Sequence, residues 1–238
     1  MMISVSCHYD RHFDFAPQRT ALIVIDMQRD FLAPEGASGV SGFDLAPLRA
    51  IIPRVQNMLG AARRHGVSVF HTREGHRADL ADLSATKRQR TLEAGAQVGS
   101  SGPLGRFMVR GEFGHDLIDE LQPAVGEPII DKPGYGAFYA TDLEHLLRSK
   151  GITHLLLAGV TTQCCVHSTL REAVDRGFSC LTLADCCASF EPALHDATLQ
   201  IIASEAHLFG WIANGENVIS ALDNQTIETT RRAIEEKA

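Results

Sequence analysis

Three stretches of the 238-residue chain carry side chains whose types and positions suit acyl transfer. In TALIVID (20–26) an apolar run ends on Asp26, and in PIIDKPGYGAF (128–138) another ends on Lys132. In HLLLAGVTTQCCVHSTLREA (154–173) a third gives way to a polar turn and the cysteine pair Cys164 and Cys165, followed by a helical pattern. A thiol titrates near about 8.5 and attacks as the thiolate, which a helix start and a nearby ammonium both favour. The expectation is therefore a lowered thiol pKa at Cys165. Asp26 would take the thiol proton and later pass it to a departing amine, while Lys132 holds the carboxylate. Backbone N–H groups of Thr161 and Cys165 would form an oxyanion hole.

These residues need a frame that brings strand ends together. TALIVID (20–26), VSVFHT (67–72), PIIDK (128–132), THLLLAG (153–159) and SCLTLAD (179–185) are short apolar runs, each closed by a polar residue or glycine. They read as parallel strands buried on both faces, with a sixth around His207 to Ala213. Helical spacing occupies the gaps, at Leu48 to Leu59, Leu143 to Leu147, Val166 to Val174 and Ala193 to Ala206. Alternation of this kind predicts an α/β chain: a three-layer α/β/α sandwich on a six-stranded, mostly parallel sheet in the Rossmann-like order 3-2-1-4-5-6. In that order Asp26 and the 160–165 turn sit side by side at the switch point, and the chain leaving the third strand carries Lys132 over Asp26.

Residues 1–238 read as one domain, with an N-terminal arm over 1–19 and a charged C-terminal helix over about 225–238, strongest from Ile227 to Glu236. Residues 72–114 form a long excursion rich in Gly, Ser, Pro and charge, a length that in compact domains usually signals function or disorder. The formal charge of -7 comes without a basic cluster, which argues against nucleic acid and membrane-surface partners. No window reaches the roughly 18 consecutive apolar residues of a membrane span, and the first residues lack a signal-peptide core. The reading is a cytoplasmic protein whose six cysteines are thiols.

The D-M-Q-x-D-F stretch at 26–31, K-P-G-Y-G-A-F at 132–138 and G-V-T-T-Q-C-C-V at 159–166 together resemble the catalytic segments of the isochorismatase-like cysteine hydrolases, with the similarity running from about residue 20 to 213. The resemblance implies catalytic Asp26, Lys132 and Cys165, a non-proline cis peptide between Val160 and Thr161, no cofactor, and a homo-oligomer. It selects Cys165 over Cys164, because the family's nucleophile directly precedes the small apolar residue of a T-x-x-C-V pattern. Helical spacing agrees, since Cys164 shares a polar face with Ser168, Arg171 and Asp175. Within the family the excursion and its flanks are most similar to biuret hydrolases and other ureide hydrolases. Glu205 stands where those enzymes carry glutamine, which points to a longer ureide such as triuret.

The expected reaction is cleavage of a C–N bond in a small-molecule ureide, biuret or triuret, with release of ammonia through a thioester-type intermediate. Amidases of ureidoacrylate, N-carbamoyl amino acids or nicotinamide are the enzymatic alternative, and a binding protein that keeps the fold without turnover is the other. Arg73, Glu74 and His76 of the excursion are candidates to bind the ureide, with Phe31, Phe138 and Tyr139 as candidate walls. Cys186 and Cys187 read as packing. No metal is expected, since His71 and His76 lack a D-x-H partner and neither H-x-H nor H-E-x-x-H occurs.

Overall fold

The computed structural model describes residues 2–224. Within the N-terminal arm, β1 (Ile3–Cys7) and β2 (Arg11–Phe15) pair antiparallel as a hairpin. Alternation places Ile3, Val5, Phe13 and Phe15 on one buried face. The Phe13 ring lies 5.3 Å from that of Trp211, so the hairpin packs on the edge of the main sheet.

That sheet is built from β3 (Thr20–Ile25), β4 (Ser68–Glu74), β7 (Ile129–Lys132), β8 (His154–Val160), β9 (Ser179–Ala188) and β10 (Trp211–Ala213). Between β4 and β7 lies a two-stranded ribbon, β5 (Ser101–Gly102) and β6 (Gly105–Arg106). The order is β7-β4-β3-β8-β9-β10 with every pair parallel, as the alternating pattern predicts. On β3, Leu22 and Val24 face one core while Ala21, Ile23 and Ile25 face the other, which is why the run shows no polar alternation.

Short α1 (Arg29–Leu32) and α2 (Ala37–Val40) follow β3. Next come α3 (Ala46–Ala50) and α4 (Ile52–Arg64), which cover one face of the sheet together with the helical residues 215–224. The expected single helix over 48–59 is divided at Ile51, because Pro53 fits a first helical turn and starts a new helix. After α5 (Ala85–Glu93), the other face is covered by α6 (Leu143–Ser149), α7 (His167–Asp175) and α8 (Pro192–His207). α8 ends irregularly: Glu205, Ala206 and His207 all have positive φ, so the sixth strand begins only at Trp211, after Gly210 at φ 120°. The helix expected over 227–236 lies outside the described residues.

Register fixes where the strands end. Ile25 lies beside both Thr72 and Gly159, and Glu74 lies beside Lys132. The carboxyl ends of four neighbouring strands thus open onto one spot, where ligands bind in doubly wound sheets.

Candidate active site

Asp26 is the first residue past β3, fully buried and in the left-handed region at φ 52°, a conformation more accessible to Asp than to most residues. Its carboxylate accepts a hydrogen bond from Thr72 Oγ1 at Oδ1 (2.6 Å), and its Oδ2 lies 2.7 Å from Lys132 Nζ. Lys132, also fully buried, donates to Gly134 O at 3.0 Å. A buried ammonium persists only with such partners, and the carboxylates of Asp26 and Glu74 with the Cys165 sulfur raise its pKa against the opposing effect of burial. Burial pushes Asp26 above the usual carboxylate range despite Lys132.

β8 leads through Gly159, at φ 119°, into the turn that holds the cysteines. A Cβ at Gly159 would lie 2.1 Å from Ile25 O, so only glycine lets the two strand ends touch. The Val160–Thr161 peptide is cis, as the resemblance implies. Residues Thr162–Val166 then make one wide π-helical turn closed by Val166 N donating to Thr161 O at 3.2 Å, and α7 follows. This turn directs Cys165 inward, to 5% exposure, and leaves Cys164 half-buried beside it.

The side chain hydrogen-bonded to the Cys165 sulfur is Glu74, whose Oε2 lies 3.4 Å from Sγ. Donor atoms of Asp26, Glu74 and Cys165 all fall within 4.8 Å of one another. Such a set has metal-ligand character, and the Lys132 ammonium, 2.7 Å and 3.7 Å from the two carboxylates, already sets a positive charge beside them. The other oxygen of Glu74 meets Lys87 Nζ at 2.6 Å. Burial alone would raise Glu74, but Lys132, Lys87 and the thiol hydrogen bond outweigh it and hold the carboxyl below its ordinary value.

The thiol departs from expectation. The adjacent Cys164 thiol, burial, and the Asp26 and Glu74 carboxylates hold Cys165 well above the ordinary thiol range, and Lys132 is outweighed. The sulfur is placed to donate its proton to Glu74, and the carboxylates beside it disfavour the thiolate until that proton is handed over.

A cavity of about 220 Å³ opens onto the sulfur. Its floor is Glu74, Val160, Thr161, Cys164 and Cys165, and Phe31, Ala37, Met108 and Phe190 give it a largely apolar wall. Phe43 and Phe190 stack at 4.6 Å, and Arg90, Thr91 and Tyr135 supply polar edge groups. Of the expected substrate contacts, Phe31 and Glu74 line this cavity; Arg73, His76, Phe138 and Glu205 do not.

Strand geometry explains Arg73: alternation turns Thr72 and Glu74 toward the site and Arg73 to the opposite face, where it pairs with Asp131 (2.8 Å) and Asp116 (2.9 Å). His76 is buried against Asp82, and Phe138 is core, with its ring 5.8 Å from Phe178 and Arg176 over it. Tyr139 is exposed, while Tyr135 of the same loop reaches the cavity. Glu205 is exposed at the irregular end of α8 and does not line the cavity.

Five supporting side chains were not picked out from the sequence. Gln28 clamps Glu74 by its backbone, accepting from Glu74 N at 2.7 Å and donating to Glu74 O at 2.9 Å. Thr72 orients Asp26. Thr169 and Glu172 of α7 accept hydrogen bonds from Ala137 N and Phe138 N, tying the loop after Lys132 to the helix after Cys165. Lys87 had no signal beyond its place in a charged excursion, whereas Gln28 lies within the D-M-Q stretch itself.

The isochorismatase domain model matches residues 20–217. A ureidoacrylate amidohydrolase RutB of Serratia proteamaculans (strain 568) is 33% identical over 217 residues, covering 87% of this chain and 84% of that protein. Among solved structures, a cysteine hydrolase from Pseudomonas syringae pv. phaseolicola 1448A superposes with a TM-score of 0.75 at 27% identity, covering 88% of this chain and 95% of that one. The nicotinamidase PncA of Bacillus subtilis gives 0.66 at 27% identity, covering 82% and 99%. The chain belongs to the isochorismatase family.

Proposed function

We propose that this isochorismatase-family protein is a cysteine-dependent amidohydrolase of small carbamoyl compounds. The observation that carries the reading is a buried thiol at the floor of a small cavity, with two carboxylates and a lysine gathered around it. As the thiol proton passes to a neighbouring carboxylate, sulfur attacks the carbamoyl carbon and a C–S bond forms. The carbonyl oxygen becomes an oxyanion, for which the Thr161 and Cys165 N–H groups are the proposed donors. Collapse breaks the C–N bond, the proton goes to nitrogen, and ammonia leaves. Water then adds to the S-acyl carbon, returns a proton to the cluster, and releases the acid with the thiol restored. Lys132 anchors Asp26 and offsets the negative charge on sulfur.

Among carbamoyl compounds the cavity favours a ureido acid. The exposed Arg90 guanidinium stands at the cavity edge with no carboxylate partner among the described residues, and the wall between it and the sulfur is mostly apolar. An arginine so placed suits a substrate carboxylate at one end while the carbamoyl group meets the thiol at the other. The name of the ureidoacrylate amidohydrolase relative supports the same class. Biuret and triuret, uncharged ureides, are the second reading, which the excursion's likeness to ureide hydrolases favours.

Ammonia release from ureidoacrylate, an N-carbamoyl amino acid, biuret, triuret and nicotinamide tests this directly. Turnover is expected on carbamoyl compounds and highest on the ureido acids; preference for nicotinamide would overturn the class. Cys165→Ala should abolish turnover, and near-native ammonia release from it would reject the nucleophile. Arg90→Ala should raise KM for ureido acids about 10-fold, the worth of one charge-assisted contact, and leave KM for biuret unchanged.

A further inference from the structure

We infer that Glu74 is a specificity residue that accepts a hydrogen bond from the terminal NH2 of the substrate, so that the cavity selects a primary carbamoyl group at its floor. The inference rests on the amidohydrolase reading above and deepens it, and the proton transfers stay with Asp26 as the sequence leads one to expect. Two carboxylates lie near the sulfur, and the cavity separates them: Glu74 lines its floor and Asp26 does not. Glu74 Oε1 is taken by Lys87 Nζ at 2.6 Å. Its Oε2 lies 3.4 Å from the Cys165 sulfur, with Lys132 Nζ at 3.7 Å, beyond hydrogen-bond reach.

A carboxylate oxygen has two acceptor sites, so Oε2 can take a second donor beside the thiol. Once the thiol gives up its proton, Oε2 loses that donor and needs another. A carbamoyl carbon poised for attack stands about 3–3.5 Å from sulfur with its nitrogens bonded directly to it. An N–H of that group therefore comes within reach of an oxygen that is itself 3.4 Å from the sulfur. The acceptor is held in place before substrate arrives. Gln28 fixes the Glu74 backbone at both N and O, and Lys87 is anchored by donating to Pro133 O at 2.7 Å. Lys87 and Lys132 keep the carboxyl below its ordinary pKa, so at neutral pH it is ionised and accepts a charge-assisted bond.

The contact also orients the substrate. A carboxylate set at the floor would bring acceptor against acceptor at Oε2, whereas Arg90 at the cavity edge is a donor only. A ureido acid thus has one fitting direction, with NH2 toward Glu74 and the acid toward Arg90. A primary carbamoyl group supplies the terminal N–H that the floor requires; an acyl group ending in CH3 has the same shape and none to offer.

The test is calorimetric binding to the Cys165→Ala protein of an N-carbamoyl amino acid and the matching N-acetyl amino acid, which differ in NH2 against CH3 at the end that meets the floor. The carbamoyl compound should bind at least about 10-fold more tightly, the worth of one hydrogen bond to a charged acceptor. Adding Glu74→Gln should bring the two affinities to near equality, because Lys87 holds the side-chain oxygen and turns the amide NH2, a donor, toward the cavity. A residue that only braces α5 through Lys87 would weaken both ligands alike, and an unchanged ratio would overturn the assignment. Equal affinities with Glu74 intact would do the same. Should Glu74→Gln fail to fold, Glu74→Asp decides: the charge stays while the acceptor is withdrawn by one methylene, so the ratio should fall, and an undiminished ratio would refute the contact. If the wild-type protein releases no ammonia from any carbamoyl compound, the amidohydrolase reading fails, while the carbamoyl-to-acetyl ratio still decides the contact; a carbamoyl compound that does not bind at all overturns it.

Discussion

Arg73 and Glu74 are adjacent in sequence and do opposite work. Both stood out as charged residues at the start of the excursion, and only the period of two along β4 separates them: one face leads to the sulfur, the other to Asp116 and Asp131. That period was not readable for Glu74, because the apolar run suggested that the strand stopped at Thr72, two residues short. Asp26, Lys132 and Cys165 were easier to find, each lying at or just past the end of an apolar run. Arg73→Ala should therefore lower the melting temperature by a few degrees and leave KM for every accepted substrate unchanged. A KM increase without loss of stability would return Arg73 to the substrate site.

Among the elements, the sheet was the most legible part, because strands buried on both faces write themselves as continuous Val, Ile and Leu runs. α5 was the least. None of its residues is fully buried, so it has no apolar stripe to betray it, and its attachment by Lys87 is polar. The segment 134–138 shows a different kind of hidden constraint. Ala137 N donates to Thr169 Oγ1 at 3.1 Å and Phe138 N to Glu172 Oε2 at 2.9 Å, and a Cβ at Gly136 would meet the Glu172 carboxylate at 2.4 Å. The loop that follows Lys132 is thus braced on the helix that follows Cys165, which fixes their separation. Thr169→Val keeps the shape and leaves the buried Ala137 N–H without its partner, at a cost of about 1–3 kcal/mol. A denaturant midpoint unchanged from wild type would show that the bond does not brace the loop.

At the scale of the molecule, acid stability has a named source away from the active site. Glu127 precedes β7 and accepts hydrogen bonds from Arg63 (Nε to Oε1, 2.8 Å) and from Ala124 N (2.9 Å), with His71 Nε2 3.0 Å from its Oε2. Burial alone would raise its pKa, but these partners bring it down to about 2. A carboxylate depressed in the folded state stabilises above its unfolded value, near about 4.3, and that stability is lost as pH falls toward the folded one. Glu127→Gln should be less stable than wild type at neutral pH, with the difference shrinking as pH drops from about 4.3 toward 2. A difference constant with pH would place the effect in packing instead. The strand order and layers were legible from alternation, whereas the N-terminal hairpin was not: with five residues in each strand, its alternation is too brief to stand out from a polar arm.

The proposed mechanism stands on a covalent bond between Cys165 and a carbamoyl carbon. Acid quenching of the protein during turnover of a ureido acid, followed by peptide mass analysis, tests this most directly. An acyl adduct is expected on the peptide carrying Cys164 and Cys165, persisting in Cys164→Ala and disappearing in Cys165→Ala together with ammonia release. Ammonia release undiminished in Cys165→Ala, or an adduct that moves with Cys164, would contradict it.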